Sequence, residues 1–102
     1  MEIAVNDTGS AATVVLTGRL DISGAEAVAL PLATLSGGKT SLKIDMTGVT
    51  FVASIGLRHL VMAAKALRRR GGTLVLVNPT TAVAEVITIS GLGELLPVER
   101  AG

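Results

Sequence analysis

The order of apolar and polar positions divides the chain into short extended runs and longer helical ones. Residues 2–6 and 12–17 (Ala-Thr-Val-Val-Leu-Thr) have strand character, and the polar run Asp7-Thr8-Gly9-Ser10 supplies a glycine where a hairpin would turn. An opening antiparallel pair is predicted. Gly18-Arg19-Leu20-Asp21-Ile22 leads to Ser23 and Glu26, which stand at the S-x-x-E spacing of a capping box. A helix is expected to start there and run towards Leu35. Pro31 lacks an amide donor and crowds the preceding turn, so a kink or interruption is expected over residues 27–31, with Gly37-Gly38 ending the segment.

In Ser41-Leu42-Lys43-Ile44-Asp45-Met46 the apolar side chains share one face, which predicts a half-buried strand. A turn at Thr47-Gly48 is expected before Val49-Thr50-Phe51-Val52. From Ala53 onward, apolar residues recur at Leu57, Leu60, Val61, Ala64 and Leu67, the spacing of an amphipathic helix of about four turns. Arg68, Arg69 and Arg70 fill its last turn, where cations complement the negative helix end, and Gly71-Gly72 supplies the stop. Thr73-Leu74-Val75-Leu76-Val77 is a continuous apolar run, as expected of a central strand covered on both faces. Pro79 can open a third helix, with Val83, Val86, Ile87 and Ser90 at helical spacing and Gly91 beyond its end. A short strand near Leu95 to Val98 closes the order β-β-α-β-α-β-α-β. This alternation predicts an α/β sandwich with a mixed central sheet. The 102 residues suffice for one core and show no repeat or linker, so a single domain over 1–102 is expected.

Composition narrows the chemistry. Phe51 is the only aromatic residue, so the core must be aliphatic, and the stacking platforms that bind single-stranded nucleic acid are lacking. Nine Lys and Arg against eight Asp and Glu give a net charge of +1, too little for a nucleic-acid footprint. There is no Cys, which removes thiolate catalysis and Cys-containing metal sites. His59 stands alone, so a His-rich zinc site cannot be assembled. No catalytic constellation, cofactor or metal is expected, and the chain is read as a non-enzyme. The acidic amino terminus lacks the pattern of a secretory signal. No apolar run approaches the roughly 20 residues of a membrane helix, so a cytoplasmic protein without direct membrane insertion is expected.

Ser36-Gly37-Gly38-Lys39-Thr40 ends like a phosphate loop. Ala33 stands where the motif's first glycine belongs, and the segment follows a helix instead of a strand, so it reads as a plain loop. Gly91-Leu92-Gly93 lacks the third glycine of a dinucleotide fingerprint and reads as a cap and a turn. Ser54 is the most informative position. It lies where an extended apolar segment hands over to the long helix, so it is either an N-cap or a hydroxyl whose phosphate would be tolerated by free amides and the helix dipole. Ser54, Ile55, Arg58, His59, Met62 and Lys65 fall opposite or beside the apolar stripe. Ile55 and Met62 are therefore expected to be exposed, and His59 to be solvated or in contact with a partner.

The chain resembles the STAS domain family, in particular its stand-alone anti-sigma factor antagonists. Gly18-Arg19-Leu20-Asp21 is similar to the family's Gly-Glu-Leu-Asp, and Phe51-Val52-Ala53-Ser54-Ile55-Gly56-Leu57 to its Phe-x-Asp-Ser-Ser/Thr-Gly-Leu. Asp45 falls in a Leu-Asp-Leu-Ser-like segment, and Gly71 to Leu76, Pro79 and Ser90-Gly91-Leu92 resemble the closing half. The resemblance implies a STAS-type sandwich whose unphosphorylated form binds an anti-sigma factor that is also a serine kinase of the GHKL type, releasing a sigma factor. Phosphorylation of the serine matching Ser54 reverses binding, and a phosphatase can restore it. Asp21, Ala53, Ile55, Arg58, His59 and Met62 are the expected partner-binding residues. Ala53 replaces the usual aspartate and Ile55 the usual Ser or Thr. The alternative that the family offers is an unphosphorylated interaction subunit of a lipid or anion transporter or of another signalling complex.

Overall fold

A computed structural model describes residues 1–100. Strands β1 (Glu2–Asp7) and β2 (Ala11–Leu20) form the expected antiparallel hairpin. Its loop turns at Gly9, whose φ of 91° suits a residue without a side chain. The chain continues as α1 (Ile22–Gly38), β3 (Ser41–Val52), α2 (Ser54–Arg69), β4 (Thr73–Val77), α3 (Thr81–Ile89) and β5 (Val98–Glu99). The strands lie in the order β1-β2-β3-β4-β5, and every neighbouring pair after the first is parallel. The sheet is thus mixed, and the element order is the one expected.

The even-numbered residues Val14, Leu16, Leu42, Ile44, Met46, Leu74 and Leu76 are buried. With Val28 and Leu32 of α1, Leu60 and Leu67 of α2, and Val83 and Ile87 of α3, they form one aliphatic cluster. Phe51 lies outside it and is 40% exposed. Among the described residues nothing covers the other sheet face. Val75 and Val77 are only half-buried, and the Lys43 ammonium meets the Glu99 carboxylate at 3.3 Å across that face. The two-sided cover expected for residues 73–77 is therefore absent, because valine suits a half-exposed strand as well as a covered one.

Several local expectations are corrected. Asp21, not Ser23, caps α1: the Gly24 amide donates to Asp21 Oδ1 at 3.0 Å, and Ser23 falls inside the first turn. Helix α1 also runs unbroken through Pro31 to Gly38, held by its packing against α2. No turn separates residues 46 and 49. Instead β3 bulges twice against β2, since Val15 and Thr17 pair with Asp45 and Gly48, and Gly18 and Arg19 with Val49 and Phe51. The first bulge is stabilised by Asp45, which accepts from the Thr47 amide at 3.0 Å and from its hydroxyl at 2.6 Å. Pro79 precedes the cap of α3. The cap is Thr80, whose hydroxyl oxygen accepts from the Val83 amide. The last strand is Val98–Glu99 and not residues 95–98.

The glycine stop of α2 holds. Gly71 has φ 77°, and the Gly72 and Gly71 amides donate to the Leu67 and Arg68 carbonyls, the Schellman pattern. Arg70 lies just past the helix and has a second role. Its guanidinium donates to the Ser36 and Lys39 carbonyls at 2.8 Å, tying the end of α1 to the end of α2.

Candidate functional site

Parallel pairing of β2 and β3 brings two helix amino termini together. Leu20 is in register with Val52, and the Ala53 amide donates to the Leu20 carbonyl at 2.9 Å. The next residues on the two strands, Asp21 and Ala53, are the N-caps of α1 and α2. Adjacent strands lie about 4.8 Å apart, so the two helices start side by side at one edge of the sheet. Two glycines permit this. A Cβ at Gly24 would stand 2.3 Å from the Arg19 carbonyl oxygen, and one at Gly56 would stand 2.6 Å from Leu20 Cγ.

Ser54 is the first residue of α2, not its cap. Ala53 caps with its backbone alone and makes no side-chain cap bond. Ser54 is exposed, and among the described residues its hydroxyl has no hydrogen-bond partner. The first turn of α2 contains no acidic residue. The site therefore combines a free hydroxyl with unpaired amides and the positive end of a helix dipole, an arrangement that accommodates an anion on that hydroxyl.

The neighbouring charges are Asp21 and Arg19. The Gly24 amide, and secondarily the Arg19 cation, hold the Asp21 carboxyl below the ordinary aspartate value. Arg19 Nε lies 3.7 Å from Asp21 Oδ2, and its guanidinium stacks 4.3 Å from the centre of the Phe51 ring. The contact between these two residues is not among the features the sequence predicts. Arg19 and Asp21 are two apart on an extended segment and so point to one side, a signal the sequence did contain. The pairing with Phe51 depends on the second bulge and could not be read. Ile22, 70% exposed in the first turn of α1, adds an apolar group at the same edge.

Asp21, Ala53, Ser54 and Ile55 thus gather at the edge, while Arg58, His59 and Met62 continue along α2. Met62 is 57% exposed, as expected. Ile55 is half-buried, contrary to expectation, and stands one helical turn before His59, on the same side of α2. His59 is likewise half-buried and lines the seam between α1 and α2. Among the described residues no group of His, Asp or Glu could hold a metal ion.

The family model described as "Mlab, STAS domain" matches residues 3–97, and the chain belongs to the STAS domain family. BtrV of Bordetella bronchiseptica, named provisionally as an anti-sigma factor antagonist, is 32% identical over 87 residues, 84% of this chain and 75% of that protein. Among solved structures, the anti-sigma factor antagonist SpoIIAA in its unphosphorylated form has a TM-score of 0.86 at 23% identity, covering 99% of this chain and 89% of its own. An anti-sigma factor antagonist from Mycobacterium paratuberculosis has a TM-score of 0.83 at 24% identity, covering 95% and 83%. These two likenesses define the fold.

Proposed function

We propose that this protein is an anti-sigma factor antagonist that works by partner switching in the cytoplasm. Unphosphorylated, it binds an anti-sigma factor serine kinase of the GHKL type through Asp21, Ala53, Ser54, Ile55, Arg58, His59 and Met62, and a sigma factor is freed. The kinase then transfers the γ-phosphoryl group of ATP to Ser54. The Ser54 Oγ–P bond forms, the bond to ADP breaks, and the hydroxyl proton passes to a base of the kinase. A phosphatase resets the switch. The observation that carries this reading is Ser54 itself, an exposed hydroxyl at the first position of α2 without a partner among the described residues. The name of BtrV and the SpoIIAA-like fold support it.

The physics of release is charge. A phosphate adds about −1.5 to −2 at neutral pH, beside the Asp21 carboxylate and within a surface that carries Ile22 and Ile55. Burying it in the former contact would cost several kcal/mol without new cations, so affinity falls by orders of magnitude. No rearrangement of the fold is needed. The test is incubation with the cognate kinase and ATP, followed by mass spectrometry and binding measurements on wild type and Ser54→Asp. Phosphate on Ser54 and weak binding of Ser54→Asp are expected. Ala53, which removes a carboxylate from the acceptor site, favours a second reading as an unphosphorylated subunit of a transporter. In that case Ser54 stays unmodified and Ser54→Asp binds its partner as wild type does.

A further inference from the structure

Past the Ser54 end, α2 continues beside α1, and the seam between them is a furrow of about 400 Å³. Small side chains make it concave: Ala29 and Ala33 on α1, Ala63 and Ala66 on α2, with Leu32 among them. Lys65 and Arg69 line it as well. Arg58 lies seven residues before Lys65, hence on the same side of α2 and about 10 Å along it. Helix α2 contains no acidic residue, and neither do the α1 residues that line the furrow.

These cations differ from their neighbours in what they bond. Arg68 donates to the Glu94 carbonyl, and Arg70 donates to the carbonyls at the end of α1. Among the described residues Arg58, Lys65 and Arg69 have neither a hydrogen bond nor an ion pair. From Arg58 to Arg69 the rim spans about 16 Å, three helical turns, with an unmatched positive charge at each end and one between. Met62, 57% exposed, also lines the furrow.

We propose that the furrow between α1 and α2 is a docking groove for an acidic amphipathic helix of a protein partner. The occupant's apolar face fills the alanine-lined seam, and carboxylates one turn apart meet Arg58, Lys65 and Arg69. The shape favours a rod over a membrane surface, since the apolar floor is recessed and the cations follow one rim. Met62 is the adaptable lip that such grooves use. The groove shares Arg58 and Met62 with the proposed partner surface and extends it along the far half of α2.

The test titrates the isotope-labelled full chain with a synthetic amphipathic peptide bearing leucines on one face and glutamates beside them. A second peptide with lysine at each glutamate position and phosphatidylglycerol vesicles serve as comparisons. The acidic peptide is expected to shift the amides of Ala33, Ala63 and Ala66, to bind about tenfold more weakly to Lys65→Glu/Arg69→Glu, and to lose affinity with salt. Ala33→Trp, which fills the seam from an exposed position, should block it. Equal binding of the lysine peptide, unchanged affinity in the double variant, or vesicle binding without peptide binding would each overturn the proposal. Circular dichroism checks that the variants remain folded.

Discussion

Gly56 abuts Leu20: a Cβ at Gly56 would lie 2.6 Å from Leu20 Cγ and 2.8 Å from the Leu20 carbonyl oxygen, the atom that accepts the Ala53 amide. This contact sets the first turn of α2 against the end of β2, and so places Ser54 beside the start of α1. Gly56→Ala is expected to destabilise the fold by about 1–3 kcal/mol through overpacking, outweighing the roughly 1 kcal/mol that alanine contributes to a helix interior. Urea denaturation measures the difference. A variant as stable as wild type would show that the α2 terminus can slide and that its position is not fixed by Leu20.

Ser54 and Thr80 look alike in sequence as hydroxyls at helix starts, but they sit one position apart in cap geometry. The Thr80 oxygen accepts from the Val83 amide at 3.2 Å, whereas Ser54 follows its cap and bonds nothing among the described residues. Thr80→Ala should therefore cost about 1 kcal/mol, and Ser54→Ala should stay within about 0.5 kcal/mol of wild type. Thermal denaturation of the two variants decides the point. Equal losses would mean that the Ser54 side chain caps α2 and is not free to accept a phosphate.

The periodicity of α2 and its glycine stop were legible because a 3.6-residue stripe and a positive-φ cap are local properties. The N-cap of α1 was misplaced because Asp21 and Ser23 are both good caps. The choice between them was made by Gly24 packing under the Arg19 carbonyl, a contact between segments. The same holds for the bulges of β3, which depend on register with β2, and for the open sheet face, which depends on where the helices pack. At the candidate site, the position of Ser54 at the start of α2 was readable from the sequence. The stack of Arg19 on Phe51 and the partial burial of Ile55 were not, since each depends on tertiary packing.

Pro31 offers a direct measure of how strongly tertiary packing overrides propensity. It sits in the interior of an unbroken α1 and deprives the helix of one amide donor. Pro31→Ala restores that donor at a half-buried position and should stabilise the protein. The propensity gain is at most about 3 kcal/mol, and the greater freedom of the unfolded chain offsets about 0.4–1 kcal/mol of it. Chemical denaturation should show a higher midpoint. A lower one would mean that the proline ring packs the helix more than its missing amide weakens it.

The two perturbed carboxylates predict an acid limit to stability with separable causes. Asp7 is held below the ordinary aspartate value first by the Lys39 ammonium, 2.6 Å away, and then by the Gly9 amide. Asp21 is held down first by the Gly24 amide and less by Arg19. A carboxyl whose folded pKa lies below its unfolded one adds stability that is fully present above the unfolded value and disappears as the pH falls through the folded one. Stability should therefore decline below about pH 4 and show no related change near neutrality. Carboxyl-carbon NMR titration separates the sources. Lys39→Met should raise the Asp7 pKa markedly and leave Asp21 unmoved, while Arg19→Met should raise Asp21 only slightly, because its main anchor is a backbone amide. If Asp21 instead returned fully to the ordinary value without Arg19, its depression would be a salt-bridge effect. The hydrogen bond that starts α1 beside Ser54 would then be too weak to fix the geometry of the site.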